Sequence, residues 1–220
     1  MSRDRSGPFE DVASDYDRWY ETPEGARVLT EELECLRLVV PEISGRWLEI
    51  GVGTGRFASG LGMAHGLDSS AAMLRIAVSR GVAAPIGVAE HLPYKRRSFD
   101  GVLIVATLCF VTDVSRVLAE CGRILRRGGT LLVGQIPSDG PWGRYYVKKA
   151  RDGHPVYSHA RFFTVDELGG LTASQGFTLV DAASALFWAP GSAPSDSRRT
   201  EHRVVPGAGF VALKLSTPIA

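Results

Sequence analysis

Residues 47–55 read WLEIGVGTG, an apolar run that breaks into three glycines at alternate positions. The apolar run predicts a buried strand. Gly51, Gly53 and Gly55 have no Cβ and tolerate positive φ, so the loop that they form lets backbone N–H groups come close to a ligand. A strand, a glycine loop and a helix in this order form the ligand-binding turn of a doubly wound α/β fold. Taken alone, the stretch is also compatible with a tight turn that binds nothing.

The spacing of the glycines and the residue ahead of them bear on the kind of ligand. A dinucleotide fingerprint places its third glycine where this chain has Arg56. Glu49 precedes the loop by two residues, and a carboxylate there repels phosphates but suits a ligand with an ammonium or sulfonium group. An NAD(P)-dependent oxidoreductase remains an alternative, because Asp68 at the end of the next strand could also hold the adenosine ribose of a dinucleotide.

Composition and charge indicate an ordinary globular protein without a strongly charged partner. The chain has 220 residues, 45% hydrophobic and 22% charged, with a formal net charge of +1. We therefore expect no nucleic-acid or membrane partner. The N-terminus has no apolar core typical of a signal peptide, which favours a cytoplasmic protein. Cys35, Cys109 and Cys121 are scattered in apolar contexts and predict buried free thiols, with no metal site.

Apolar periodicity and turn residues predict an alternation of helices and strands. A helix face is expected at Leu29, Leu33, Leu36 and Val40. The other helices are expected at residues 9–20, 70–80, 113–126 and 164–175, the last opened by a capping box. Strands are predicted at Trp47–Ile50, His65–Leu67, Pro85–Val88, Gly101–Ala106, Thr130–Ile136, Phe177–Ala182 and Gly209–Leu215.

These elements predict an α/β fold with a doubly wound, mostly parallel seven-stranded sheet and an antiparallel edge strand. We expect a single domain over residues 1–220. Within it we expect N-terminal lid helices at residues 9–40, a small helical cap inserted at 138–163, and a mobile loop at 190–206.

Four ordered motifs resemble those of class I S-adenosylmethionine-dependent methyltransferases that act on small molecules, in the type 11 group similar to ubiquinone-biosynthesis methyltransferases. The motifs lie at residues 48–55, 66–74, 89–93 followed by 98–100, and 123–129. The resemblance covers about residues 9–215. It implies a Rossmann-like methyltransferase fold, S-adenosylmethionine as the methyl donor and S-adenosylhomocysteine as the product.

The resemblance also implies which residues contact the cofactor. The glycine loop would pack on its amino-acid part, with Glu49 supporting that part directly or through water. Asp68 would accept hydrogen bonds from the ribose hydroxyls. The remaining expected contacts are Tyr16 from the lid, Ser69, Met73, Ala89, Glu90 and His91 around the ribose and adenine, and Thr107 beside the methyl group.

Several of these positions have a structural alternative. Glu49 could merely anchor the loop, and the Thr107 hydroxyl could bind backbone at a strand end. Val88 stands where the family often has an aspartate that contacts the adenine amino group, so either Glu90 or the backbone alone would make that contact. The first helix after the glycine loop is expected to be short, because only residues 56–64 separate that loop from the next strand.

The acceptor is expected to be a small molecule, bound by the cap, the N-terminal helices and the late loop. Trp19 or Tyr20 would face it. In the cap, aromatic side chains alternate with cations, which suits a planar or anionic molecule or else a solvated helix with a packed aromatic side. His159 and Tyr157 are the candidates for a general base, although methyl transfer needs one only if the nucleophile must lose a proton. A regulatory protein that binds S-adenosylmethionine without catalysis is the remaining alternative.

Overall fold

The computed structural model describes residues 8–192 and 200–217. Its helices are α1 (Ala13–Trp19), α2 (Pro23–Val39), α3 (Arg56–Gly60), α4 (Ala71–Ser79), α5 (Val114–Ile124), α6 (Pro141–Arg151) and α7 (Val165–Ser174), with a 3-10 turn at Tyr157–His159. Its strands are β1 (Trp47–Ile50), β2 (Gly66–Leu67), β3 (Phe99–Val105), β4 (Leu125–Gln135), β5 (Thr178–Ala185), β6 (Thr200–Glu201) and β7 (Phe210–Ser216).

The strands of the described residues form one mixed sheet in the order β2-β1-β3-β4-β7-β5-β6. The first four are mutually parallel, so their carboxyl ends share one edge of the sheet. Loops that follow β1, β2 and β3 therefore meet at that edge, which is where ligands bind in open α/β sheets. The α/β, Rossmann-like fold class predicted from the sequence is confirmed.

The antiparallel part of the sheet is larger than a single edge strand. β7 lies between β4 and β5 and is antiparallel to both. β6 pairs with β5 at Ser184–Glu201 and Ala185–Thr200, inside the segment expected to be a mobile loop. Residues 193–199 of that expected loop lie outside the described residues.

The strand predicted at Pro85–Val88 is wrong. This segment makes one isolated bridge, from Ile86 to Asp68, and a second bridge, from Ala83 to His65, lies just before it. Ile86 and Val88 are 65% and 44% exposed, so their side chains gain nothing from a place in the sheet. The described residues contain seven strands, the number predicted, because β6, which was not predicted, replaces this segment in the count.

Helices cover both faces of the sheet. α2, α4 and α6 contribute to one apolar cluster and α5 and α7 to the other. Thr22 caps α2 by accepting a hydrogen bond from Gly25, with Pro23 in the first turn. The buried face of α2 is rotated from the predicted stripe, because Leu29 and Leu33 are only partly buried. Its fully buried residues are Gly25, Val28, Glu31, Glu32, Cys35, Leu36 and Val39. None of the helices within residues 8–192 and 200–217 is long and apolar enough to cross a membrane.

Candidate active site

The glycine loop after β1 is held against the end of β3. Gly51 and Gly53 have φ of +69° and +53°. A Cβ on Gly51 would lie 2.3 Å from the Thr107 hydroxyl oxygen, so only glycine fits there, whereas a Cβ on Gly53 would meet nothing within 4 Å. The Thr107 hydroxyl donates to Val105 at 2.8 Å. One side of the loop is thus packed and the other is open to a ligand.

Asp68 fastens this loop to the end of β2. Its Oδ2 accepts a hydrogen bond from the Gly53 N–H at 2.8 Å, and its Oδ1 accepts one from the Ser70 N–H at 2.9 Å. Burial raises the pKa of Asp68, and these hydrogen bonds limit the rise. Each carboxylate oxygen retains a further lone pair, so the side chain can still accept hydrogen bonds from a ligand.

A cavity of about 260 Å³ lies over the loop and Asp68. Its lining combines apolar side chains with a few polar groups, as in most small-molecule sites. Its lining residues include Gly51, Gly53, Leu67, Asp68, Ser69, Met73, Val88, Ala89, Glu90, Thr107 and Val111. We call it the first cavity.

The N-terminal segment closes the first cavity. Phe9 and Tyr16 line it, and their rings make an edge contact with centroids 5.6 Å apart. Phe9 also contacts Phe110 at 4.9 Å. Glu10 accepts hydrogen bonds from the Ser70 hydroxyl at 2.7 Å and the Ala72 N–H at 3.2 Å, which ties the segment to the start of α4.

Asp17 on α1 makes a second tie to the same wall. Its carboxylate oxygens each accept a hydrogen bond at 2.8 Å, one from Arg56 Nε and the other from Arg80. Arg80 also donates to the Thr54 carbonyl at 2.8 Å. Burial would raise the pKa of Asp17, but the two guanidinium groups outweigh it and hold that pKa below its usual value. α1 is therefore fastened beside the glycine loop by buried ion pairs.

A second cavity of about 360 Å³ lies next to the first. The two share four lining residues: Phe9, Tyr16, Ala106 and Phe110. The second cavity is bounded mainly by aromatic side chains of α1, α6 and the segment after α6. These are Tyr16, Trp19, Tyr20, Trp142, Tyr145, Tyr146, Tyr157 and Phe162. Trp19 and Tyr20, which were expected as alternatives for facing the acceptor, both line it.

A hydrogen-bonded chain anchors the cap to α2. Trp142 Nε1 donates to the Trp188 carbonyl at 2.6 Å, and Trp188 Nε1 donates to Glu31 at 3.1 Å. Glu31 also accepts from Arg27 Nε at 2.8 Å. The aromatic residues of the cap are accordingly packed walls, and the cations Arg144, Lys148, Arg151 and Arg161 stay outside the second cavity.

Glu32, next to Glu31 on α2, lines the second cavity and is 4% exposed. Burial, with a smaller contribution from Glu31, raises its pKa to about 8. Burial also raises the pKa values of Tyr16, Tyr20 and Tyr146, and the Glu32 carboxyl adds to each of these shifts. Glu32 therefore faces the phenols that surround the cavity.

Comparison with known proteins identifies the family. A methyltransferase-domain family model matches residues 48–133. The structure is similar to that of an S-adenosylmethionine-dependent methyltransferase of Thermotoga maritima, described as a possible histamine N-methyltransferase. The two are 37% identical with a TM-score of 0.85, over 95% of this chain and 97% of that one. The chain belongs to the class I S-adenosylmethionine-dependent methyltransferases.

Curated relatives of this methyltransferase include proteins with and without a named activity. An uncharacterised protein of Mycobacterium tuberculosis is 41% identical over 201 residues, which are 91% of this chain and 70% of that one. The demethylmenaquinone methyltransferase of Roseiflexus castenholzii is 35% identical over 164 residues, which are 68% of this chain and 64% of that one.

The first cavity fits the cofactor of the methyltransferase family. The open side of Gly53 leaves room for a ligand against the backbone, and Asp68 offers acceptors at the end of β2. Behind the loop, Glu49 Oε2 is buried without a hydrogen-bond partner among the described residues. Burial raises the pKa of Glu49 well above its usual value, and a cationic ligand nearby would lower it again. These features suit a molecule with a ribose and an ammonium or sulfonium group.

Nine of the twelve positions expected at the cofactor line the first cavity; Glu49, Gly55 and His91 do not. Glu49 is buried within β1. Gly55 begins α3 with φ of +80° and packs against Ala77. His91 is exposed, and its N–H donates to the Val88 carbonyl at 3.1 Å. The expectation that these three residues contact the cofactor stays a prediction.

The two candidates for a general base differ in position. His159 is exposed and lines neither cavity, since the 3-10 turn directs it away from the cap interior. Tyr157 lines the second cavity, but burial raises its pKa to about 12, so its phenol is a hydrogen-bond donor at neutral pH. Neither placement favours a base.

Sequence reasoning missed Glu10, Asp17 and Glu32. A signal was present for Glu32, which stands four residues after Val28 and three before Cys35, within an apolar face of α2. Glu10 and Asp17 act through partners 39 to 63 residues away, so nothing local distinguishes them from solvated acids.

Cys35 and Cys121 are buried and Cys109 is partly buried, all three as free thiols. Within residues 8–192 and 200–217 no group of metal ligands is present.

Proposed function

We propose that this methyltransferase moves a methyl group from S-adenosylmethionine in the first cavity to a small-molecule acceptor in the second. The observation that carries the proposal is the shared wall of Phe9, Tyr16, Ala106 and Phe110. Two cavities that share one wall would place two ligands side by side. In this proposal residues 9–40 act as the lid and residues 138–163 as the cap over the acceptor, within a single catalytic domain.

On the cofactor side, Asp68 accepts hydrogen bonds from the ribose hydroxyls with the lone pairs that Gly53 and Ser70 leave free. The open face of Gly53 takes the amino-acid part. Ala89 and Val88 bound the adenine. The Glu90 carboxylate accepts a hydrogen bond from the Thr112 N–H at 2.9 Å, which fixes it at the adenine edge.

The reaction proceeds mainly through proximity and orientation. S-adenosylmethionine supplies a methyl carbon already activated on a sulfonium. The protein has to hold the acceptor nucleophile in line with that carbon and exclude water, and correct placement alone supplies several kcal/mol of the barrier reduction, about 7 or more in favourable systems. Tyr16 borders both cavities and is the side chain placed to position the acceptor against the methyl group.

The proposal is tested by calorimetric titration with S-adenosylhomocysteine, with NADH as the control ligand, followed by incubation with S-adenosylmethionine and a panel of amines, phenols and thiols. We expect S-adenosylhomocysteine alone to bind, and demethylation of S-adenosylmethionine to require an acceptor. Binding of NADH in its place would overturn the proposal in favour of an oxidoreductase. Cofactor binding with no methyl transfer to any nucleophile class would favour a regulatory binding protein.

A further inference from the structure

The second cavity combines an aromatic wall with a buried carboxyl group, that of Glu32. Glu32 is 4% exposed, and its carboxyl group receives no hydrogen bond from residues 8–192 and 200–217. Its neighbour Glu31 differs in this respect, because it receives hydrogen bonds from Arg27 and Trp188. An unpaired buried carboxyl is costly, and proteins keep such groups mostly where a ligand or reaction uses them.

The groups around Glu32 determine which ligand would pair with it. The phenol groups of Tyr16 and Tyr20 form a hydrogen bond with each other, with their oxygens 3.1 Å apart. The other charged groups that line the cavity are Asp15 and Glu24 on the side of α1 and α2, and Lys149 on α6. Lys149 is already placed over the Tyr145 and Tyr157 rings, at 4.7 and 5.8 Å. His154 lies at the same side, and burial lowers its pKa. The cavity is thus anionic near α2 and has its cation at the cap.

Taking the proposed methyl transfer as its basis, we propose that the acceptor is an amine whose nitrogen pairs with the Glu32 carboxylate while its apolar or aromatic body packs against the tyrosines. An ammonium group supplies the missing partner, and aromatic faces stabilise a cation further. The sequence alone suggested a planar or anionic acceptor. Glu32 reverses the expected charge, because an anion would bring a second negative charge into a buried site.

The pairing of the amine with Glu32 also explains how the amine loses a proton before it is methylated. The bound amine and Glu32 share one proton, and when it lies on the carboxyl group the nitrogen lone pair is free. The N–C bond then forms as the S–C bond breaks, with the electron pair left on sulfur. The product is a methylated ammonium, and the proton on Glu32 leaves to solvent as the product departs. The pKa of Glu32, near 8 in the empty cavity, allows both protonation states around neutral pH.

The test uses three probes of similar shape: 2-phenylethylamine, 2-phenylethanol and 3-phenylpropanoate. Binding of each is measured by calorimetry with and without saturating S-adenosylhomocysteine, and methyl transfer by mass spectrometry. The variants are Glu32→Gln and, as the matched control on the same helix, Glu34→Gln, since Glu34 lines neither cavity; thermal unfolding verifies that each is folded. We expect the wild type and Glu34→Gln to prefer the amine over the alcohol by about tenfold or more, and Glu32→Gln to lose this preference, since a hydrogen bond to a charged group contributes about 1.5–3 kcal/mol.

The outcomes separate this inference from the function on which it rests. Equal affinity for amine and alcohol in the wild type, or an amine preference that survives Glu32→Gln, would overturn the amine assignment. If S-adenosylhomocysteine binds and a phenol or thiol is methylated while amines are not, the assignment falls and the methyl-transfer proposal stands. If S-adenosylhomocysteine does not bind at all, the methyl-transfer proposal fails, and the amine preference is still measured on the empty protein.

Discussion

The Asp68 Oδ2 atom accepts a hydrogen bond from the Gly53 N–H at 2.8 Å, and this bond links the ends of two neighbouring parallel strands. The carboxylate is held from both sides, since its other oxygen binds the Ser70 N–H at the start of α4. A group fixed in this way loses little rotamer freedom when a ligand binds, so its further hydrogen bonds contribute more of their energy to affinity.

Asp68→Asn should therefore weaken S-adenosylhomocysteine binding by about tenfold or more. The amide replaces one acceptor oxygen with an NH₂ group, which would point a donor at a backbone N–H. The substitution also removes the negative charge that would accept hydrogen bonds from the ribose. Hydrogen bonds to charged groups contribute about 1.5–3 kcal/mol. Calorimetry measures the change. Asp152→Asn, an exposed acid paired only with Lys148 on the cap, is the control and should bind as the wild type does. Equal affinities for the two variants would remove Asp68 from the cofactor site.

The ties of the lid give a second prediction. Asp17→Ala removes the carboxylate that pairs with the Arg56 and Arg80 guanidinium groups, and all three side chains are at least three-quarters buried. Removing one partner of a buried pair is strongly destabilising. We expect faster amide hydrogen exchange over α1 and lower affinity for S-adenosylhomocysteine, by about three- to tenfold. Asp15→Ala is the control, because its bond to Arg18 is exposed. Faster exchange with unchanged affinity would show that α1 does not contribute to cofactor binding.

Helix capping gives a prediction confined to stability. The Thr164 side chain accepts from the Glu167 N–H at 3.1 Å, and the Glu167 carboxylate accepts from the Thr164 N–H at 2.7 Å. Thr164→Ala should lower the free energy of unfolding by about 1 kcal/mol. Urea denaturation measures this, and cofactor affinity should stay unchanged because neither residue lines a cavity. Thr164→Ser, which retains the acceptor, should recover most of the loss.

Features encoded over a few residues could be predicted from the sequence. The capping box of α7 and the glycine loop with Asp68 both depend on neighbouring residues or on strand order. Their positions agree with expectation because local hydrogen bonding and the right-handed β-α-β connection leave few alternatives. The position of the first cavity could be predicted for the same reason, since it lies at the ends of predicted parallel strands.

Features that depend on distant contacts could not be predicted. The apolar residues Ile86 and Val88 resemble a strand locally but find no continuous partner, whereas Thr200 and Glu201 pair with β5 despite a polar sequence. β propensity of this kind depends on the neighbouring strand. Glu32 was missed for a similar reason, because only the tertiary structure covers that face of α2 with the aromatic residues of α1 and the cap.

The pH dependence of stability is the last prediction and concerns Glu32 in the empty protein. Its folded pKa of about 8 lies above the ordinary value of 4.5, so between these pH values the unfolded chain is ionised while the folded one retains the proton. The wild type then loses stability as pH rises, at a slope of up to about 1.4 kcal/mol per pH unit from this group. Glu32→Gln lacks the titration, so its stability relative to the wild type should increase from pH 5 to pH 8 and level off above pH 8. Urea denaturation of both proteins across this range measures the difference. Parallel curves for the wild type and Glu32→Gln would show instead that Glu32 is ionised in the folded protein throughout this range.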